Sequence, residues 1–190
     1  EVRYTMKQGF QNSEQARQVL AFRCPRWAQL PGIELYMDQV TGYINEIFAP
    51  LCPDPQEKML TKAMVNNYVK QRVMGPPLNK KYSKAHVAYL VAICALKQVF
   101  SIPEIAQLIR SQIDHCPVEQ AYDYFCEQLE RALRLAIEGA PAQQAPQDEG
   151  ALLVVRVAQA YADKVYIQKR LAYEAQREEA ARPQKRESEP

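Results

Sequence analysis

The stretch TKAMVNNYVKQRVMGPPLNKKYS, Thr61 to Ser83, decides how the chain is read. Thr61 is a good N-cap, and the residues after it sort into rows because side chains four apart share one helix face. Met64 with Tyr68 and Val65 with Val69 form adjacent apolar rows, while Lys62, Asn66 and Lys70 lie beside Ala63, Asn67 and Gln71 in adjacent polar rows. The pattern predicts a helix over 62–73 that turns one face to a core and presents amides and amines on the other. Gly75-Pro76-Pro77 ends it, and 78–82 reads as a short loop or a two-stranded wing. Ser83 then caps a helix to about Val99, apolar around much of its circumference and therefore buried.

Upstream, Leu35, Tyr36, Val40, Tyr43, Ile44, Ile47 and Phe48 recur at helical spacing until Pro50, and residues 50–57 form a proline-rich connection. Residues 1–26 read as an N-terminal extension with one short helix from Ser13, whose apolar positions are Ala16, Val19, Leu20 and Phe22. Downstream, Ser101-Ile102-Pro103-Glu104 is a capping box that starts a helix through Ile105, Leu108, Ile109 and Ile113. The expected organisation is a main domain over 27–113, an additional helix packing on it over 114–139 that ends at Gly139, and a linker over 140–149. A last helix follows over 150–176, with a seam of Val154, Val157, Ala158, Tyr161, Val165 and Ala172 suited either to packing on the domain or to homodimerisation. The tail, 177–190, mixes charges with no apolar anchor and is expected to be disordered.

Composition agrees with an all-α chain: only 6 glycines, and 13 prolines mostly gathered in short clusters that leave long helix-forming stretches between them. The longest apolar run, Val87 to Leu96, is about half of the ~20 residues a bilayer span needs, so no membrane partner is expected. Five widely spaced cysteines without a Cys-x-x-Cys pair read as reduced thiols in a cytoplasm, and no signal peptide is visible. Net charge is only +2, but it is unevenly placed. Between Lys58 and Pro103 stand eight basic residues and no Asp or Glu, which leaves 16 basic against 22 acidic residues elsewhere.

That segregation gives the polar face its meaning. Phosphates attract Lys and Arg, and an exposed helix that reads DNA must offer amide or guanidinium groups to base edges. Asn66, Asn67 and Gln71 are able to make paired hydrogen bonds to adenine, and Lys62, Lys70 and Arg72 suit phosphate or guanine.

In this region the chain resembles the winged helix-turn-helix of the MerR superfamily of transcriptional regulators. Met64-Val65-Asn66-Asn67-Tyr68 stands where that superfamily's recognition helix has Thr-Leu-Arg-Tyr-Tyr, and Lys80-Lys81-Tyr82-Ser83 matches the end of its wing. Phe100-Ser101-Ile102-Pro103-Glu104-Ile105 matches its Phe-Ser-Leu-x-x-Ile turn, and the likeness runs from about Ile33 to Ile109. The wording of 35–40 and 66–70 is also similar to that of a bacterial family of small MerR-like proteins of unknown function. The resemblance implies an all-α, winged helix-turn-helix fold with additional C-terminal helices, and a sequence-specific regulator of double-stranded DNA in which Lys80, Lys81 and Tyr82 brace phosphates or the minor groove. Asn66 and Asn67 replace the superfamily's Arg and first Tyr, so its base preference does not carry over.

Other chemistries are poorly served. His115-Cys116 with Cys126 matches no standard metal-ligand spacing, so neither metal nor cofactor is expected. Glu34 and Asp38 lack a neighbouring catalytic His, Ser83 beside His86 is explained by capping, and no glycine-rich phosphate loop exists, so the chain does not read as an enzyme. The alternative to a DNA-binding regulator is a protein-interaction module on the same scaffold, engaging a partner through 118–137 or the final helix.

Overall fold

In a computed structural model, residues 9–52, 54, 56–139 and 145–181 are described. Seven α-helices and two short strands occur among them: α1 Glu14–Ala21, β1 Leu35–Tyr36, α2 Met37–Phe48, α3 Lys62–Lys70, β2 Lys81–Tyr82, α4 Lys84–Leu96, α5 Ile102–Ile113, α6 Val118–Glu138 and α7 Glu149–Ala181. The chain is mostly helical, as its composition requires.

At the centre lies α4. Val87, Leu90, Val91, Ile93, Cys94 and Leu96 are all buried, so it meets neighbours on every side, α2, α6 and α7 among them. Burial holds the Cys94 thiol up at about 12, far from any reactive thiolate. Ser83 starts the helix with its backbone N–H donating to His86 Nδ1 at 3.1 Å. The Ser101 box forms as expected: Ser101 N–H donates to Glu104 Oε2 at 2.7 Å, and the hydroxyl donates to the same oxygen at 2.7 Å. These bonds hold the Glu104 carboxyl below its ordinary range.

Of the expected N-terminal extension, residues 1–8 lie outside the described residues, and Phe10, Ala16, Val19 and Phe22 are buried in the core. Ser13 Oγ accepts from Ala16 N at 3.2 Å, and the helix it caps buries Ala16 and Val19, followed by Phe22, between α6 and α7. Phe10 joins them, its ring centroid 5.4 Å from that of Tyr166 in an edge-on arrangement.

The last helix folds back along α6 and buries Val154, Val157, Ala158, Tyr161 and Val165, so its apolar seam is used within the chain. Two polar side chains follow it inward. Lys169 Nζ donates to Cys52 O at 2.9 Å and to Gln18 Oε1 at 3.1 Å, tying α7 to the turn after α2 and to α1, and burial lowers its pKa. Arg170 lies over the Phe10 and Tyr173 rings, 5.4 and 5.6 Å from their centroids, and pairs with Glu174 at 2.8 Å.

Several expected boundaries shift. The helix expected to reach Gln176 continues to Ala181, so the first residues of the expected tail are helical, and 182–190 lie outside the described residues. Of the expected linker, 140–144 lie outside the described residues, 145–148 are irregular, and Glu149 already begins α7. Leu35 and Tyr36 belong to a strand rather than to α2, because they pair with 81–82.

Candidate nucleic-acid interface

The polar rows of α3 face outward as the sequence requires. Lys62, Ala63, Asn66, Asn67, Lys70, Gln71 and Arg72 are exposed, while Val65 and Tyr68 are buried and Met64 and Val69 half-buried. Thr61 Oγ1 caps the start, accepting from Met64 N at 3.3 Å. The helix ends three residues before the expected Val73, and its backbone explains why. Arg72 N donates to Val69 O at 3.0 Å and Val73 N to Tyr68 O at 3.0 Å, the paired bonds of a Schellman cap. Buried Val73 and Tyr68 supply the apolar contact that accompanies it. Such a cap needs a left-handed residue; Arg72 takes that place at φ 58°, where glycine is usual.

Two side chains outside α3 hold the residues just before its cap. Asn45 on α2 donates Nδ2 to Leu60 O at 2.9 Å and accepts from Leu60 N at 2.9 Å through Oδ1. Lys97, at the end of α4, donates Nζ to Met59 O and lies 3.2 Å from Met64 Sδ. Lys97 is thus spent on the connection, although it counted among the basic residues of the segment. Sequence reasoning missed Asn45; its signal was an amide one turn beyond Thr41, on the side of α2 that carries buried Thr41 and Phe48.

After α3 the chain forms a small antiparallel ribbon. Leu35 pairs with Tyr82 and Tyr36 with Lys81, and Leu78 bridges Lys81 across a tight turn. Asn79 and Lys80 at the tip have φ 49° and 63°, the left-handed pair of a type I′ hairpin turn. Directly paired residues share a sheet face, so Leu35 and Tyr82 point into the core while Tyr36, Lys81 and Leu78 share the other side. Lys81 Nζ stands 5.7 Å from the centroid of the exposed Tyr36 ring.

This register corrects one expected contact. Tyr82 is only 2% exposed, its ring 5.7 Å from His86 in an edge-on contact, and burial raises its pKa. It anchors the ribbon to α4 and has no surface to offer a phosphate. The remaining site residues are surface groups or, for Lys81, half-exposed. Two pairings modify them: Lys62 Nζ meets Asp38 Oδ1 at 2.5 Å, both well exposed, and Gln71 Nε2 donates to Asn67 Oδ1 at 3.0 Å. An exposed ion pair of that kind is weak and exchanges readily for another anion. Asp38 lies outside the acid-free stretch 58–103, and α2 brings it alongside.

Among the described residues no group of three His, Cys, Asp or Glu is placed to hold a metal ion, and no helix is long and apolar enough to cross a membrane. Cys126 faces Cys24, and Cys116 faces Gln120 Oε1 at 3.8 Å.

Fold and surface together define a mostly helical domain that displays a short amide-rich helix beside a basic two-stranded ribbon. The chain belongs to the family described as Domain of unknown function (DUF1836), whose pattern matches residues 25–125, more than half of its length. That span runs from Pro25 through α2, α3, the ribbon, α4 and α5 into α6. No curated protein and no solved structure matches the chain.

Proposed function

We propose that the chain is a DNA-binding transcriptional regulator of the cytoplasm, built on a MerR-like winged helix-turn-helix in which α2 and α3 are the helix pair and the ribbon is the wing. In this reading α3 enters the major groove, Asn66, Asn67 and Gln71 meet base edges, and Lys62, Lys70, Arg72, Lys80 and Lys81 meet phosphates. The observation that carries it is the outward face of α3, where exposed amides stand between exposed cations on a helix pinned by Asn45 and Lys97. A rigid mount matters because base-edge hydrogen bonds tolerate little misplacement. Breaking the Asn67–Gln71 bond on contact costs little, since both amides regain partners on the base.

The test is selection of duplex DNA from a random library at two salt concentrations. Enrichment of a motif, with affinity falling steeply as salt rises, is the expected result. Replacing Lys80 and Lys81 together by Ala lowers the salt slope by about 2, whereas Asn66→Ala or Asn67→Ala removes base preference at a cost of about 1–3 kcal/mol per contact. No enrichment and no salt-dependent binding would sink the reading.

A second reading rests on α7. Ile167 and Leu171 are 55% and 65% exposed one turn apart, which suits a protein partner or a second copy of the chain. On α6, the other helix expected to serve this role, Phe125, Leu129, Leu133 and Ile137 are buried within the fold, which leaves its polar face for a partner. Sedimentation of the wild type against a double Ile167→Glu, Leu171→Glu variant discriminates: self-association through α7 is lost in the variant, and a monomer in both removes the homodimer.

A further inference from the structure

The segment entering the family-matched region is strapped along one face of α6. Cys24 N donates to Glu130 Oε1 at 2.8 Å, Arg26 Nη1 donates to the same oxygen at 2.8 Å, and Trp27 N donates to Asp123 Oδ1 at 2.6 Å. The Tyr122 hydroxyl donates to Pro25 O at 2.8 Å. Between these bonds sit two thiols from residues 102 positions apart, Cys24 Sγ and Cys126 Sγ, separated by 2.9 Å. Both are buried, at 2% and 0% exposure. Two unbonded sulfur atoms do not ordinarily pack so closely, and a disulfide at ~2.05 Å is reached by shortening the gap by about 0.9 Å. The strap's hydrogen bonds hold the backbone of 24–27 against α6 and so keep the two sulfur atoms together.

We propose that Cys24 and Cys126 are the site of a reversible intrachain disulfide, formed with a peroxide as oxidant. Either thiol of the pair is able to act first; with Cys126 taken as the attacking sulfur, Cys24 Sγ stands 2.9 Å away to resolve the product. Cys126, having lost its proton, attacks one peroxide oxygen; the O–O bond breaks, and the departing hydroxide takes up a proton to leave as water. Cys126 is then a sulfenic acid. Cys24 gives up its proton, its sulfur attacks the Cys126 sulfur, and the S–O bond breaks with release of a second water. Two thiols have lost two electrons and two protons, and one peroxide has become two waters. Burial keeps other thiols and other chains away, so the reaction is confined to this pair and waits on local opening to admit the oxidant.

Disulfide formation at this pair is independent of DNA binding. Its test is to treat the folded full-length chain with hydrogen peroxide, then unfold it, label remaining thiols with a maleimide and map cross-linked peptides by mass spectrometry. Two of the 5 thiols are expected to be protected, in a peptide pair joining Cys24 to Cys126 that dithiothreitol releases. The oxidised chain is expected to melt on the order of 10 °C higher than the reduced one. Cys24→Ser abolishes the protection and Cys116→Ser does not. Labelling of all thiols after wild-type oxidation, or cross-links that involve Cys52, Cys94, Cys116 or a second chain, would overturn it; the wild-type map decides even if the variant fails to fold.

Discussion

The side-chain amide of Asn45 bonds both backbone groups of Leu60, donating to its carbonyl at 2.9 Å and accepting from its N–H at 2.9 Å. A single side chain thereby does what a paired strand does, and it joins α2 to the residue before the Thr61 cap. The position of the amide-rich face follows from this pairing.

Asn45→Ala leaves Leu60 with an unmatched donor and acceptor beside a packed helix. It is expected to destabilise the chain by about 2 kcal/mol, read as a lower urea midpoint at unchanged slope. An unaltered midpoint would mean that water replaces the amide without cost.

Arg72 at φ 58° gives a prediction of opposite signs in two assays. Arg72→Gly removes the steric cost of the left-handed cap and is expected to raise stability by about 1 kcal/mol. The same change deletes a cation from the end of α3 and is expected to weaken DNA binding and to reduce its salt slope by about 1. Should stability and affinity rise together, Arg72 does not meet phosphate.

Tyr82 separates anchoring from contact. Tyr82→Phe keeps the ring in its buried site and is expected to leave DNA affinity unchanged, while Tyr82→Ala opens a cavity and costs about 3 kcal/mol of stability. A selective loss of affinity in the Phe variant, with stability intact, would restore the hydroxyl as a contact.

Glu104 supplies a pH signature. Its carboxyl is held below the ordinary 4.5 by hydrogen bonds from the Ser101 hydroxyl and backbone N–H. A lowered folded-state value means that the stability contributed by the ionised carboxylate is fully present above the ordinary value and is lost as pH falls through the lowered one. Glu104→Gln is therefore expected to be less stable than wild type near neutral pH, with the difference closing as pH falls well below 4.5. A gap in melting temperature that is constant across that range would show that the box owes nothing to charge.

Much of the fold is legible in the sequence. The Thr61, Ser83 and Ser101 caps and the division of α3 into buried and exposed rows are local properties, set by side chains three or four residues apart, and they appear as read. So is the central burial of α4, which follows from apolar residues all round its circumference.

What the chain alone does not reveal depends on residues far apart in sequence. Nothing around Leu35 or Lys81 announces that they share a ribbon, and only that register turns Tyr82 inward and leaves Tyr36 outside. Asp38 reaches the cationic face and Lys97 leaves it because α2 and α4 pack beside the connection to α3. The choice between folding α7 back and keeping it for a partner is equally open in the sequence, since an apolar seam is satisfied by either surface. Helix starts, rows and burial tendency were determined by the sequence itself; pairing, register and which cations remain exposed were decided by tertiary packing, because hydrogen bonding and apolar burial are set by whichever distant segment completes them.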